Sequence, residues 1–301
     1  MFATDFPVKS QGTLRVCTYN VLTGGLDGWE GSTTSTHGLS TTRWEQQMKI
    51  LNSLDLDVLL LQEATAFDTD EMAMARATGQ ALGMDWKLAP SGSHGCHLMT
   101  LVRHDRVTIS DFVPDAAEGK FHHTLSCAHI VTSHGWRARI FNTHLSPFSP
   151  EARSIEVGWI TEFGCADDVI LAGDLNGSWP GDPEPESWDW LPPHLHSRHR
   201  RLTPDGTYGP SNRDAQVKLH LAGFRDPVRA LGHPWAATVG HWSQSERYPM
   251  RPDHILPSAG AAALLTDWGV VRTPAALALS DHLPVVADFR PPSVEERPDC
   301  P

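Results

Sequence analysis

Short apolar runs rich in β-branched residues recur along the chain, and segments with helical spacing lie between some of them. Seven runs predict strands: LRVCTYNV, DVLLLQ, CHLMTLVR, SCAHIVTS, RARIFNT, DVILAG and PVVADF. Three further segments predict helices. TTRWEQQMKILNSL begins with a capping box formed by Thr42 and Glu45, SPEARSIEVGWITEF begins with Ser149 and Pro150, and SNRDAQVKLHLAGF ends at Gly223.

The second of these helices carries an apolar stripe, and we expect that face to be buried. The stripe consists of Ala152, Ile155, Trp159 and Phe163. Strands outnumber helices, several strands follow one another directly, and no repeat is visible. The sequence therefore predicts an α+β sandwich of layered sheets with flanking helices. We expect a single domain over residues 13–291 and a flexible tail over residues 292–301.

Length and composition allow a sizeable core and set a limit on the partners. The chain has 301 residues, of which 40% are hydrophobic, and 36 acidic residues exceed 24 basic ones to give a net charge of -12. This charge argues against strong nonspecific binding to a nucleic-acid backbone, although a local basic rim is compatible with it.

The cysteines and the N-terminus bear on the compartment. Five scattered cysteines include no C-x-x-C pair, which predicts neither a disulfide framework nor a cysteine zinc site. No run approaches the ~20 apolar residues of a membrane helix, and the N-terminus lacks the basic start and long apolar stretch of an export signal. We therefore expect a cytoplasmic protein without a membrane partner.

Polar residues stand at or just past the ends of apolar runs in six places. They are Asn20 in CTYNVL, Glu63 in LLLQEA, His144 in FNTHLSP, Asp174 and Asn176 in AGDLN, Asp253 in RPDHIL, and Asp281 and His282 in LSDHLPV. Each has an ordinary structural explanation as a turn former, a solvated strand end or a partly buried histidine. Because strand ends on one edge of a sheet share a surface, their repetition favours a common site.

The residue types in this set indicate phosphate chemistry with a hard metal ion. Carboxylates and amides supply oxygen ligands that suit Mg²⁺ or Mn²⁺ rather than Zn²⁺, and such ions neutralise charge on phosphoryl oxygens. The histidines and a further carboxylate supply proton transfer. No G-x-S-x-G elbow and no P-loop motif is present in the sequence, so direct attack by water is the expected route.

The ordered motifs TYNVL, LLLQE, NTHLSP, AGDLN, RPDHIL and SDHLPVV resemble those of the endonuclease/exonuclease/phosphatase superfamily, the deoxyribonuclease-like metal-dependent phosphoesterases. The resemblance extends from about Leu14 to Phe289. It implies a two-sheet, four-layer α/β/β/α sandwich whose strand ends form the catalytic crevice. Two positions depart from the commoner pattern: Pro252 precedes Asp253, which suggests an edge or a bend, and His254 follows it.

The resemblance also implies a role for each residue of the metal and water sites. Glu63 would be the principal metal carboxylate, with Asn20 beside it and Asp281 as a further metal-side carboxylate. The implied cofactor is Mg²⁺ or Mn²⁺. Asp174 resembles the residue that orients or deprotonates the attacking water, and Asn176, two positions on, would hold the phosphate.

Two histidines and a third aspartate complete the implied site. His144 would donate to a phosphoryl oxygen or help to protonate the leaving group. His282 would contact the phosphate, with Asp253 bonded to its far ring nitrogen. A carboxylate in that position raises the pKa of a histidine and fixes its tautomer, so the imidazolium would stay charged and oriented.

The shared core of this superfamily indicates the reaction and not the substrate, which depends on the variable loops. In this chain the segment HLHSRHRR and the tryptophans before it form a candidate substrate rim that could bind phosphate and stack on a base. The rim residues are Arg198, Arg200, Arg201 and Trp179, with Trp188 and Trp190 nearby. A solvated basic turn beside packing tryptophans is an equally good interpretation.

Three functional hypotheses follow. The first is a nuclease or nucleotide phosphodiesterase, the second a small-molecule phosphomonoesterase, and the third a non-catalytic binding module on the same fold. Net charge favours the second over long polyanions, whereas the complete set of acid, base and metal residues argues against the third. The expected partner is a phosphate ester, namely a nucleic acid, a nucleotide or a small phosphorylated metabolite. No obligate protein partner is evident.

Overall fold

The computed structural model describes residues 8–28, 38–166, 168–189, 191–242 and 248–292. The strands in these ranges are β1 (Leu14–Asn20), β2 (Val58–Gln62), β3 (Asp85–Ala89), β4 (Leu98–Val102), β5 (Val107–Val113), β6 (Leu125–Thr132), β7 (Arg137–His144), β8 (Val169–Asp174), β9 (Arg200–Leu202), β10 (Tyr208–Ser211), β11 (Asp253–Pro257), β12 (Leu265–Val270) and β13 (Val285–Phe289). The α-helices are α1 (Thr42–Asn52), α2 (Ala73–Leu82), α3 (Pro150–Glu156), α4 (His196–His199), α5 (Asp214–Ala222) and α6 (Pro227–Leu231). Of the predicted flexible tail, only Pro292 lies within the described residues.

Two mixed sheets contain all these strands except β9 and β10, which form a separate two-stranded ribbon. The first sheet has the order β12-β13-β1-β2-β4-β3 and the second the order β11-β8-β7-β6-β5. Each sheet has one parallel pair near its middle, β1 with β2 and β7 with β8, and its other neighbours are antiparallel.

The sheets pack face to face, and helices cover their outer surfaces. Alternate residues of each strand face opposite sides. Val16 of the first sheet accordingly packs in one core with Ile140 and Ala172 of the second. Its neighbour Cys17 lies in the core between the first sheet and helix α1, which contributes Met48. A third core lies between the second sheet and α5. The expected four-layer α/β/β/α sandwich is therefore confirmed.

All seven predicted strands are present, as β1, β2, β4, β6, β7, β8 and β13. The four sheet strands absent from that prediction, β3, β5, β11 and β12, are the edge strands of the two sheets. Of these, β3, β5 and β12 have exposed or half-exposed positions that interrupt the apolar pattern. The edge position of β11 agrees with the expectation from Pro252, which directly precedes it.

The three predicted helices are present, but the predicted capping box is wrong. Helix α1 begins one residue after its N-cap, Thr41, whose hydroxyl donates to Glu45 Oε1 at 3.0 Å. Ser149 Oγ accepts from the backbone N–H of Ala152 at the start of α3, as expected. Helix α5 ends before Gly223, which has φ +117°. No helix in the described ranges is long and apolar enough to cross a bilayer.

The predicted apolar stripe of the second helix is also wrong. Ile155 is 66% exposed and Trp159 is 45% exposed, whereas the side chains of Arg153 and Glu156 are buried. These two charged groups point inward because they hydrogen-bond to backbone atoms of two neighbouring loops and of helix α4. Hydrogen bonding thus determines the buried face of α3, and apolar spacing does not.

Gly173 brings the backbones of β7 and β8 close together immediately before Asp174. Its φ is +144°, and a Cβ atom at this position would lie 1.8 Å from the carbonyl oxygen of Thr143. Glycine fits here because it has no Cβ and tolerates positive φ. This residue therefore sets the position of the strand end that presents Asp174.

We predict that Gly173→Ala lowers the free energy of unfolding by about 2–4 kcal/mol, through overpacking and backbone strain. Urea unfolding followed by circular dichroism measures the effect. Gly158→Ala is the matched control, because a Cβ there meets nothing within 4 Å. Equal unfolding midpoints for the two variants would contradict the steric explanation.

Candidate active site

The carboxyl ends of the two parallel strand pairs bring four polar side chains into one crevice. In the first sheet Asn20 ends β1 beside Gln62, and Glu63 follows directly. In the second sheet His144 ends β7 opposite Asp174 at the end of β8. Because the sheets pack face to face, these two edges meet. The site thus spans both sheets.

Asp174 lies at the centre of the crevice and is buried. Its Oδ2 lies 3.2 Å from Asn20 Nδ2, 3.3 Å from His144 Nε2 and 3.6 Å from His282 Nε2. Its Oδ1 accepts from the backbone N–H of Asn176 at 2.8 Å. Burial by itself raises the pKa of Asp174, but the charges of His282 and His144 and these hydrogen bonds outweigh it and hold the pKa below its usual value. Asp174 is therefore ionised at neutral pH.

His282 forms a buried pair with Asp253. Its Nδ1 lies 2.8 Å from Asp253 Oδ2 and 3.0 Å from Oδ1, and Thr238 Oγ1 donates to the same carboxylate at 2.5 Å. Burial lowers the pKa of His282, but the negative charges of Asp253 and Asp174 raise it well above its usual value. His282 is accordingly an imidazolium whose Nε2 faces Asp174.

Asn176 lies in the turn that follows β8, and His254 of β11 contacts the same turn. Asn176 has a φ of +48° and donates from Nδ2 to the carbonyl of Leu145 at 2.8 Å. Because a side-chain amide has two N–H donors, the second N–H of Asn176 can bind a ligand. The sequence does not indicate a role for His254. In the structure His254 is buried and hydrogen-bonds through Nε2 to the carbonyl of Gly177 at 3.0 Å. This hydrogen bond stabilises the turn.

A second group of oxygen donors lies on the first-sheet side of the crevice. Glu63 accepts from Asn20 Nδ2 and from the backbone N–H of Thr23, both at 3.0 Å. The pKa of Asp281 is raised by burial and by the negative charges of Glu63 and Asp174. A divalent cation would offset this repulsion, and the donors are the hard oxygens that Mg²⁺ and Mn²⁺ prefer. These residues fit such an ion, with Asn20 holding Glu63 in place.

Among the described residues, a different trio also brings potential ligand atoms together. Atoms of Asp174, Asp253 and His282 all lie within 4.8 Å of one another. The Asp253–His282 hydrogen bond already engages one ring nitrogen, and the raised pKa of His282 keeps a proton on the other. A histidine binds metal only in its neutral form. The Asp253–His282 pair is therefore poorly suited to bind a cation.

The four predicted rim residues occupy different environments. Trp179 is only 1% exposed and packs in the core below the second sheet, so it does not form part of an exposed rim. Its ring fills the space between α5 and β11 instead, beside His220 and His254. Arg198 lies half-buried, with its guanidinium 4.8 Å from the centre of the Phe148 ring.

The other two arginines of that segment bind the β9–β10 ribbon. Arg200 donates from Nε to the carbonyl of Gly209 at 2.7 Å and from Nη2 to the carbonyl of Tyr208. Arg201 pairs with Asp214. The Arg200 contacts join β9 to β10, whereas the Arg201 pair joins β9 to α5. Trp190 lies outside the described residues, and Trp188 packs on Tyr248 with ring centres 4.9 Å apart.

Two surfaces next to Asp174 were missed by the sequence analysis. On the His282 side is a pocket, here called the apolar pocket, lined by Asn176, His199, Val239, Tyr248, Met250, Pro252 and His282. On the other side the ring of His123 lies 4.5 Å from that of His144, and His122 follows outward. The adjacent histidines in FHHTL are separated by one residue from the start of β6, and this position near a strand terminus was the available signal.

Comparisons with known proteins agree with this architecture. The Endonuclease/Exonuclease/phosphatase family profile matches residues 17–282. An AP endonuclease from Archaeoglobus fulgidus is similar at a TM-score of 0.60 and 19% identity, over 92% of this chain and 99% of that one. A 3′ phosphatase, NExo, from Neisseria, bound to a product DNA hairpin, has a TM-score of 0.57 and 18% identity over 92% and 99% of the two chains.

An endonuclease/exonuclease/phosphatase protein from Bacteroides vulgatus is similar at a TM-score of 0.62 and 16% identity, over 92% of this chain and 98% of that one. At these identities the likeness concerns the fold alone. No curated protein matches the chain. Fold and strand-end site define a deoxyribonuclease-like sandwich of the kind found in hydrolytic phosphoesterases. The profile match over most of its length shows that the chain belongs to the endonuclease/exonuclease/phosphatase family.

We predict that Asp253→Asn lowers the pKa of His282, because it removes the nearest negative charge. In the wild type, protonated His282 stabilises the fold below about pH 6.5, and this contribution is lost as the pH rises through its raised folded pKa. NMR titration of the histidine ring protons measures the change.

Asp267→Asn is the control for this titration. Asp267 lies 3.7 Å from the partly exposed His233 and should leave the His282 titration unchanged. A His282 midpoint that is the same in wild type and Asp253→Asn would show that Asp253 does not set its charge.

Proposed function

We propose that this protein is a Mg²⁺- or Mn²⁺-dependent phosphodiesterase, either a nuclease or a nucleotide phosphodiesterase, that hydrolyses its substrate by direct attack of water. The observation that carries the proposal is Asp174, an ionised carboxylate held between two histidines. Such an arrangement can accept a proton from water beside groups that stabilise negative charge on phosphate. We further propose a cytoplasmic location, which the five scattered cysteines support.

Each residue around Asp174 has its own role in the proposed reaction. Asp174 orients the attacking water and accepts its proton. His282, charged and oriented by Asp253, donates from Nε2 to a phosphoryl oxygen. His144 Nε2 lies on the opposite side and donates to a phosphoryl oxygen or to the leaving oxygen. Asn176 contacts the phosphate through its remaining amide hydrogen.

The metal belongs on the first-sheet side of the crevice in this proposal. Glu63 and Asp281 would hold it, and Asn20 would orient Glu63 by the hydrogen bond already described. When bound, the ion neutralises charge on the phosphoryl and leaving oxygens. The pKa of Asp281 is raised first by burial and then by the charges of Glu63 and Asp174, and a cation beside these carboxylates would offset that repulsion.

The surfaces on both sides of Asp174 favour a diester over a monoester. A phosphodiester has an organic group on each side of the phosphorus, whereas a monoester has one. The apolar pocket lies on the His282 side and the His122–His123 rings lie on the His144 side. The names of the AP endonuclease and of the DNA-bound 3′ phosphatase support a nucleic-acid or nucleotide substrate.

A small-molecule phosphomonoesterase is the second candidate. The net charge of -12 favours a compact ligand over a long polyanion. The two candidates separate in one assay of metal-stripped protein refilled with Mg²⁺ or Mn²⁺, given plasmid DNA, a generic phosphodiester and a generic phosphomonoester. We expect diester cleavage that EDTA abolishes, and plasmid nicking in addition if the protein is a nuclease. Monoester turnover without nicking would favour the second candidate.

We predict that Asp174→Asn lowers kcat on the best of these substrates by about 10²–10⁴-fold, the usual contribution of a general base. The control is Asp111→Asn, which changes an exposed aspartate on edge strand β5 and should retain the wild-type rate. Circular dichroism checks that both variants fold. A near-normal rate for folded Asp174→Asn would contradict its assignment to water activation.

A further inference from the structure

A row of aromatic side chains extends from the catalytic histidine to the protein surface. From His144 the row passes through the buried ring of His123, 4.5 Å away, to the ring of His122, a further 4.7 Å. Beyond it lie His94 and Phe148, whose ring centres are 5.6 Å and 5.2 Å from that of His122. The row therefore connects the reaction centre with solvent.

We call its outer part the aromatic shelf, defined as His94, His122, Phe148 and Arg198. His94 is exposed and Phe148 is 42% exposed, and their rings are tilted by 45° at 5.6 Å. Arg198 places its guanidinium 4.8 Å from the Phe148 ring centre. Arg198 thus covers one face of the Phe148 ring, and the exposed parts of Phe148 and His94 remain accessible to a third planar group.

Buried polar groups of α3 hold the shelf in place. Glu156 accepts from the backbone N–H of His122 at 2.7 Å and from that of Ser146 at 2.9 Å. Arg153 donates to the carbonyl of Ser146 at 2.9 Å and to that of Arg198 at 2.7 Å. Arg153 and Glu156 are only 2% and 3% exposed. Helix α3 thus fixes the three chain segments that carry His122, Phe148 and Arg198.

The shelf places the rings of Phe148 and His122 next to the positive charge of Arg198. Burial, together with the neighbouring histidines, lowers the pKa of His123 to about 3. Its Nδ1 lies 3.3 Å from the carbonyl of Ser93, which fixes the tautomer. The pKa of His122 is also lowered, first by partial burial and then by the charges of His94 and His144. Arg198 remains charged at any pH of interest.

We propose that the aromatic shelf binds the nucleobase of the nucleoside attached to the scissile phosphate on its His144 side, with Arg198 attracting the negatively charged substrate. A base has a π face for stacking and polar edges that can pair with ring nitrogens. A lipid chain would leave those nitrogens and the guanidinium unpaired. This inference rests on the proposed function and specifies the substrate class of the same site.

Binding, rather than turnover, tests the shelf. Adenosine 5′-monophosphate and the base-free ribose 5-phosphate are titrated into Mg²⁺-loaded protein, and the histidine ring resonances are followed by NMR. We expect the nucleotide to shift the resonances of His94 and His122, and to bind about 5-fold or more tightly than ribose 5-phosphate, the minimum for one stacked base.

Two variants separate stacking from charge. Phe148→Ala should weaken the nucleotide about 5-fold or more and leave ribose 5-phosphate within about 2-fold, because it removes a stacking partner. Arg198→Ala should weaken both ligands by a similar factor. Arg139→Ala is the matched control: its guanidinium also lies 4.8 Å from a ring centre, that of Phe163, but at the opposite end of β7 from His144. It should change neither affinity.

Different results would contradict the shelf assignment and the proposed function. Equal affinities for the two ligands, or nucleotide-specific shifts confined to His199 of the apolar pocket, would overturn the shelf assignment even if diesters are cleaved. Absence of all phosphoester cleavage would overturn the proposed function, whereas nucleotide-specific shifts at His94 and His122 would still support the shelf as a base-binding surface.

Discussion

The site depends on a single buried carboxylate, Asp174, that is ionised although it lies almost entirely out of water. An unpaired charge in such a position would be strongly destabilising. Here the charge is compensated by His144 and His282 and by hydrogen bonds from Asn20 and from the backbone of Asn176. The electrostatic balance therefore requires groups from both sheets at one point.

The two-sheet fold meets this requirement through its parallel strand pairs. Parallel strands end at the same edge, so each central pair delivers two polar residues to one place. Between the sheets, Gln62 donates to Asn142 Oδ1 at 2.8 Å, and Asn142 donates to the carbonyls of Leu61 and Met99. This buried network links the sheets directly beneath the site. Any change in sheet packing would thus also change the distances at Asp174.

The sequence predicts those parts of the molecule that follow from local pattern. Central strands are buried on both faces and read as apolar runs, so their ends and the polar residues on them could be located. Edge strands β3, β5 and β12 have exposed positions and gave no such pattern. The resemblance of the ordered motifs to those of the family predicted that distant residues such as Asn20 and Asp174 would lie close together.

Other features depend on tertiary contacts that sequence spacing does not contain. Arg153 and Glu156 are buried because they satisfy backbone groups of two loops and of helix α4, which reverses the expected face of α3. Trp179 was expected at an exposed rim because it lies in a polar loop, yet its ring fills the core beside α5. His122 and His123 became notable only once the fold had placed them beside His144.

The central claim is that Asp174 and its two histidines surround the phosphate while the metal binds on the Glu63 side. A crystal structure of the protein soaked with phosphate and Mn²⁺ tests it most directly. We expect phosphate oxygens within hydrogen-bond distance of His144, His282 and Asn176, and anomalous density for Mn²⁺ at Glu63 and Asp281. Manganese bound among Asp174, Asp253 and His282 instead, or phosphate bound away from both histidines, would contradict the account.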